Sequence, residues 1–346
     1  YISSTGASAV QADGKIITAG FLTNYLTAVI DSFAVFRFNN DGTLDNAFGA
    51  NGMAIVTVPS AVAYNNNVMD VKVQPDGKIL LLGFFATSTG NATIIARFDS
   101  SGVLDPSFGL NGTVVHSIFP YEAYSSIGLQ SNGKILITGF MAYDALPRSV
   151  MARFNVDGSP DSLFDPLYGG DKIIDSLGLN FGTLSYNMKI GSDDKILIDY
   201  CSEVSQFGNG NVGLLKFNSD GSYDTSFGVN GRTTTLPFIG YNPVSIFSLQ
   251  SNGNVVASQA DVDSVYFRVF DVNGLASPTF NGTGYASVYY PDINGNSRAT
   301  ILPLSNNNFV YSNAQFDSTV NTINYSSQVL LGMNTNGTVM TTLGTN

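Results

Sequence analysis

The sequence predicts an all-β fold, and three observations predict it. A pair of phrases, a hairpin of the type Gln74–Gly83 (QPDGKILLLG) and a turn of the type Arg97–Gly109 (RFDSSGVLDPSFG), comes round six times along the 346 residues. The period is about 60 residues, beyond helical solenoid lengths and nearest to the kelch class of repeats. Charged residues make up only 12% and glycines number 36, a composition that suits many short strands joined by tight turns rather than long helices. Together these observations imply a six-bladed β-propeller with four-stranded antiparallel blades. No linker interrupts the repeats, so residues 1–346 read as one domain, with units at about 1–58, 59–118, 119–175, 176–236, 237–290 and 291–346.

The hairpin copies begin at Gln11, Gln74, Gln130, Gly191, Gln250 and Leu304, and the turn copies at Arg37, Arg97, Arg153, Lys216, Val269 and Gly332. In the second unit Val68 to Gln74 reads as a strand, Pro75-Asp76-Gly77 as a turn and Lys78 to Phe85 as the returning strand. Asp-Gly tolerates positive φ, and the other copies place Asn-Gly, Asp193-Asp194 or Asn306-Asn307 at the same spot. Ile79-Leu80-Leu81-Leu82 is apolar on successive residues, which implies burial on both faces of the strand, as in stacked blades. A third strand covers Thr93 to Phe98, the turn motif Asp99 to Gly112, and a fourth strand Thr113 to Ile118. The sixth unit ends where its fourth strand would begin. Tyr1 to Thr5 are expected to fill that place and close the ring by pairing the N- and C-terminal segments.

The QPDGKI and RFNxDGxxDxxFGxNG phrases resemble the delta-60 repeat family over nearly the whole chain. The match is tight in the first four repeats and looser in the last two, where Gly253-Asn254 and Asn307-Asn308 replace Gly-Lys and the late Asp is lost. The resemblance implies a surface or secreted propeller and brings no catalytic residues with it.

A net charge of −11 opposes nucleic acid and anionic membranes, leaving neutral or cationic partners. The longest apolar run, Ile79 to Ala86, is far below the roughly 20 residues that span a bilayer, so no membrane insertion is expected. Cys201 is alone, so no internal disulfide forms.

The turn motif places Asn39, Asp41, Gly42 and Asp45 like part of a calcium loop, but the first ligand position holds Arg37, Arg97, Arg153 or Lys216, and a cation there repels the ion. The cation and the late carboxylate occur together instead, as Arg37/Asp45, Arg97/Asp105, Arg153/Asp161 and Lys216/Asp224, and vanish together as Val269/Ser277 and Gly332/Met340. Loss as a pair points to a charge-assisted hydrogen bond that braces the turn. Lys15, Lys78, Lys134 and Lys195 of the hairpin read as scaffold in the same way. No cofactor or metal is implied. His116, the only histidine, lies in an outer strand and reads as a surface or packing residue, and Cys201 as a small packing residue. Outside the repeated positions lie Asp31, Asp70, Asp144, Asp199, Glu203, Asp261, Asp263 and Asp292, of which two meeting in a cleft would form a glycosidase pair.

In a four-stranded blade the repeated phrases share one rim, and the other collects variable segments, among them Pro59 to Asn67, Pro120 to Tyr124, Ala142 to Ser149, Ser202 to Asn211 and Pro291 to Ser297. Variable loops on a rigid scaffold are the usual seat of recognition. The candidate binding residues there are Tyr25, Tyr64, Tyr121, Tyr124, Tyr143, Phe207, Tyr241, Tyr290 and Asp292, aromatic and polar groups that suit sugars or protein surfaces. The expectation is a non-enzymatic, secreted or surface-displayed propeller that binds a glycan or protein through this rim. The alternatives are a self-assembling building block of a virion, sheath or extracellular filament, and a carboxylate-dependent glycosidase or lyase.

Overall fold

A computed structural model of the chain describes residues 2–24, 29–58, 66–87, 90–117, 122–141, 148–165, 170–174, 183–184, 187–202, 211–233, 236–237, 246–260, 264–289, 299–320 and 323–340. The chain forms two compact units, one of residues 1–178 and 182–190, the other of residues 179–181 and 191–346. All regular structure in the described residues is β.

The first unit holds three four-stranded sheets. They are β1 (Ile2–Val10), β2 (Ile16–Asn24), β3 (Val29–Phe38) and β4 (Met53–Thr57); β5 (Asn67–Val73), β6 (Ile79–Thr87), β7 (Gly90–Phe98) and β8 (Thr113–His116); and β9 (Glu122–Leu129), β10 (Ile135–Met141), β11 (Arg148–Phe154) and β12 (Asp171–Ile174). Short strands β13 (Thr183–Leu184) and β14 (Met188–Ile190) follow. The second unit holds β15 (Ile196–Ser202), β16 (Asn211–Phe217) and β17 (Leu236–Pro237); β18 (Ile246–Leu249), β19 (Val255–Ala260), β20 (Ser264–Phe270) and β21 (Tyr285–Tyr289); and β22 (Ala299–Pro303), β23 (Phe309–Val320) and β24 (Ile323–Met333). Neighbouring strands run antiparallel, and in the four-stranded sheets and in β22-β23-β24 they follow chain order.

The hairpin phrases form tight turns because their third or fourth residue accepts positive φ. Gly77 has φ +84° and donates to the Gln74 carbonyl, while Asp194 (φ +59°) and Asn307 (φ +61°) take the same conformation where the glycine is missing. The apolar run behind the turn is buried on both faces. Ile79 and Leu81 enter a core shared with Ile17, Phe33 and Val35 of the first sheet, whereas Leu80 and Leu82 enter a second core with Ile127, Ile137 and Phe154 of the third. Each such fully buried Leu or Ile contributes about 1.5–3 kcal/mol relative to an exposed one.

Sheet-to-sheet register within a unit is held by the second phrase as well. The amide of Gly49 donates to Ser101 O, Gly109 to Asp157 O, Gly228 to Asn273 O and Asn281 to Asn336 O, so each of these turns is tied to the Ser-Gly, Asp-Gly or Asn-Gly tip of the next repeat. The tip glycine is required twice over. At Gly158 φ is +84°, and an added Cβ would stand 2.8 Å from Phe108 Cε2 and 2.8 Å from Val114 Cγ2. The phenylalanine of one turn therefore occupies the space that a side chain on the next tip would need.

The N-terminal residues correct one expectation. Ile2, Ser3 and Thr5 pair with Leu22, Phe21 and Gly20, so they extend β1 of the first sheet and do not supply a fourth strand to the last. Among the described residues that last sheet has three strands, β22-β23-β24. The extension is possible because β2 runs on through Phe21 to Asn24 and offers these residues a ready partner, with bulges at Ser3/Thr5 and Thr5/Ala7 absorbing the mismatch.

Gly42 has the same φ as Gly158 within a few degrees but nothing within 4 Å of its missing Cβ. Gly42→Ala is expected to cost only the backbone strain, about 1–2 kcal/mol. Gly158→Ala adds overpacking of roughly 1–3 kcal/mol. Urea unfolding of the two variants checks this, and equal losses would show that the tip does not interlock with the preceding turn.

Candidate functional site

The four repeated charge pairs form one recurring cluster. Arg37 Nε donates to Asp45 Oδ2 at 2.7 Å, Arg97 to Asp105 at 2.9 Å and Arg153 to Asp161 at 2.7 Å, with Lys216 Nζ 4.0 Å from Asp224. The backbone sets the geometry, since the aspartate amide donates to the carbonyl of its own cation in each case. A second cation reaches the same carboxylate oxygen from the hairpin: Lys15 to Asp45 at 2.8 Å, Lys78 to Asp105 at 3.3 Å, Lys195 to Asp224 at 2.8 Å, and Lys134 to Asp161. The third partner is aromatic. Arg37, Arg97 and Arg153 lie 4.6, 4.5 and 4.3 Å from the ring centres of Phe48, Phe108 and Phe164, and Lys216 Nζ lies 5.2 Å from that of Phe227. Arg37 and Arg97 also donate to Ser100 O and Val156 O in the next repeat.

The hairpin lysine and the turn pair were read separately from sequence, yet they meet on one carboxylate. Their shared presence in the first four repeats and shared loss in the last two was the available signal. In the fifth repeat Ser277 N still donates to Val269 O, and in the sixth Met340 N to Gly332 O, so the backbone brace survives without charge. Oδ2 is engaged by two cations and Oδ1 by turn amides or hydroxyls.

The same contacts set the acidity. The Lys15 hydrogen bond, opposed by burial and joined by the Ala47 amide and Arg37, brings Asp45 down to about 2. Asp105 is held well below the carboxylate range: burial works against ionisation, but Ser107, Arg97 and Lys78 together outweigh it. Asp161 and Asp224 shift the same way, with burial opposed chiefly by Lys134 and Lys195.

His116 is buried, at 7% exposure. Its Nε2 lies 2.9 Å from Asp171 Oδ1, its ring packs edge-on to Phe154, and Tyr124 Oη stands 3.4 Å from both polar partners. Burial disfavours its charge, but the Asp171 hydrogen bond and the charges of Asp171 and Glu122 prevail, and its pKa is raised. A strand histidine was read as a surface or packing residue; here it is one half of a buried His116–Asp171 pair between β8 and β12.

Tyr124, expected on the binding rim, is fully buried on β9 beside that pair. It pairs with Gly139 of β10 at a register shift between β9 and β10. Tyr25, Tyr64, Tyr121, Tyr143, Phe207, Tyr241, Tyr290 and Asp292 lie outside the described residues, as do Asp144, Glu203, Asp261 and Asp263. Of the remaining carboxylates, Asp70 accepts from Ile127 N, Ser126 Oγ and Lys72 Nζ and thereby ties β5 to β9, Asp199 is buried on β15, and Asp31 lies on β3.

Four segments, 11–48, 74–108, 130–164 and 191–227, match the family described as "Domain of unknown function (DUF5122) beta-propeller". These are the four clamp-bearing repeats, and the class they define is a β-propeller repeat protein. No curated protein matches the chain. Among solved structures it is similar to the polysaccharide lyase Uly1 (10% identity, TM-score 0.47, covering 96% of this chain and 90% of that one). It is similar also to an N11 neuraminidase-like protein of A/flat-faced bat/Peru/033/2010 (11%, 0.47, 94% and 85%) and to a GH43_1 enzyme from Xanthomonas citri (11%, 0.38, 99% and 91%). At such identities the likeness transfers no residue and no substrate. The expectation of a non-enzymatic binding propeller finds no support among the similar structures, which include a lyase and several glycoside hydrolases, and that reading is not carried forward.

Asp105→Asn leaves Arg97, only 3% exposed, without its carboxylate, and is expected to cost roughly 2–4 kcal/mol in urea unfolding. Because the clamp carboxylates have depressed pKa values when folded, their contribution is present above the ordinary aspartate pKa of about 3.9 and is lost as pH falls toward 2. The variant should show a shallower loss over that window; an unchanged acid slope would remove the clamp from the account.

His116 raises its pKa on folding, so its contribution is complete below about pH 6.5 and is lost as pH rises through the folded value. As the chain's single histidine, its C2 proton can be titrated by NMR without assignment. The midpoint should lie above that of the unfolded chain and fall below it in Asp171→Asn.

Proposed function

We propose that this chain is a carboxylate-dependent glycosidase, built on six propeller blades and displayed outside the cell, that acts on a neutral or sparsely charged glycan at its variable-loop rim. The observation that carries this reading is the partition of charge. Eight of the 15 basic residues are Lys15, Lys78, Lys134, Lys195, Arg37, Arg97, Arg153 and Lys216, and all eight converge on the four clamp aspartates. The variable segments carry Asp144, Glu203, Asp261, Asp263 and Asp292 with no repeated cation to match them. Carboxylates without counter-cations raise one another's pKa, which is the condition for one to hold a proton as general acid while a second acts as base or nucleophile. Tyrosines of the same segments supply faces on which sugar rings stack. A net charge of −11 repels polyanionic chains and favours neutral ones. The resemblance to delta-60 repeats supports the extracellular placement.

Reducing-end release from a panel of neutral polysaccharides tests the proposal. Glu203→Gln or Asp292→Asn is expected to lower the rate at least about 100-fold, the scale of a lost general acid or base. If folded protein releases nothing from any of them, or if all five acidic positions can be neutralised without loss, the reading fails.

A further inference from the structure

The fifth sheet departs from the others on one face. In β7 and β11 almost every residue is buried, so both faces are covered, whereas β20 alternates: Val265, Phe267 and Val269 are buried and Ser264, Tyr266 and Arg268 are only partly buried. On β21 the same face presents Tyr285 and the exposed Ser287 and Tyr289, which pair with Arg268, Tyr266 and Ser264. The inner part of this face is covered, since Val255, Ala257 and Phe270 pack with Leu197, Leu214 and Phe227. Arg268 stands at the border between covered and open surface.

That position explains an unusual guanidinium. Its Nε is buried without an acceptor, and among the described residues no carboxylate pairs with it. Its guanidinium faces the Tyr285 ring, 5.7 Å from Cζ, and Tyr285 is stacked on Tyr266 at 6.2 Å and 21°. Next to Tyr266 in the register, Gln259 Nε2 is a second buried donor without an acceptor. Burial lowers the Arg268 pKa to about 10, which leaves it charged at neutral pH. A buried donor left unpaired costs about 1–3 kcal/mol, more when charged, and in a chain of net charge −11 an intramolecular carboxylate would have been the easy remedy.

Arg268 aligns with Ala96, one residue before the clamp cation, and the clamp position itself holds Val269. A one-residue displacement along a strand moves a side chain to the opposite face. The cation of the fifth repeat has left the clamp side and faces the open side.

We propose that Arg268, Gln259, Tyr266 and Tyr285 form a binding site for a carboxylate-bearing sugar. The guanidinium and the Gln259 amide donate to the carboxylate, and the half-buried Tyr266 and Tyr285 rings flank the sugar ring. Arginine suits this chemistry through its planar fork of donors. The site rests on the fifth sheet alone and does not require the glycosidase reading; an inactive protein could still bind here, and an active one could fail to.

Isothermal titration of the full chain with D-glucuronate and D-galacturonate, alongside D-glucose and acetate, tests the assignment. Binding of a uronate, at least tenfold weaker binding of glucose and acetate, and at least tenfold loss in Arg268→Met are expected. Tyr285→Ser, which leaves the cation in place, should weaken uronate and leave acetate unchanged. No heat with either uronate overturns the site, acetate binding as tightly as uronate reduces it to a bare anion site and overturns the sugar, and full affinity in Arg268→Met overturns the role of the cation. Should Arg268→Met fail to fold, the wild-type ligand comparison and Tyr285→Ser decide the matter.

Discussion

In the first four repeats the turn depends on a carboxylate that two cations share. Asp45, Asp105, Asp161 and Asp224 each stand where the chain leaves its third strand, and each takes a cation from that strand and another from the hairpin beside it. A single buried ion pair is weak evidence of stability because desolvation offsets its attraction. The clamp differs in being fully engaged: the carboxylate also accepts turn amides, the arginine lies over a phenylalanine, and in the first two clamps its free edge reaches a carbonyl of the next repeat. Desolvation is compensated on every side, and the position of the turn becomes fixed in the process.

Fixing the turn fixes the neighbour. The phenylalanine under the arginine is the group against which the next tip glycine closes, so one cluster sets the local bend and the contact to the following sheet. This is nearest-neighbour coupling, in which stability accumulates repeat by repeat. It also accounts for the uneven sequence. The tips at Gly102, Gly158 and Gly274 must be glycine because each meets both a left-handed backbone and an aromatic ring, while the clamp charges can disappear, as they do after the fourth repeat, because the backbone bond between strand and turn persists without them.

The sheets, the hairpin turns and the two-faced burial of strands such as Ile79–Leu82 were legible in the sequence because each has a local signature: a period, a positive-φ residue, an uninterrupted apolar run. The cation–carboxylate pairs were legible through their joint disappearance. What could not be read was the meeting of groups from different parts of the chain. Nothing local distinguishes Tyr124, buried at Asp171, from a rim tyrosine, and nothing near His116 announces a partner 55 positions away. The destination of Ile2 to Thr5 was misjudged for a related reason: a short strand can pair with any open edge, and the near edge of β2 was available.

The last two repeats then appear in a different light. Loss of the clamp could be taken as decay of the motif, but the fifth repeat keeps its turn, its backbone brace and its tip at Gly274, packed on Phe227. What changes is where charge and aromatic side chains point. The alternation of Ser264-Val265-Tyr266-Phe267-Arg268 keeps the apolar residues on the core shared with Phe309 and Tyr311 and turns the polar ones to the opposite face. A scaffold held by backbone bonds tolerates this exchange, whereas one held by charge alone would not. Relief from the clamp is therefore what frees a strand in the middle of a repeat, ordinarily covered on both sides, to present an arginine and a tyrosine to a ligand.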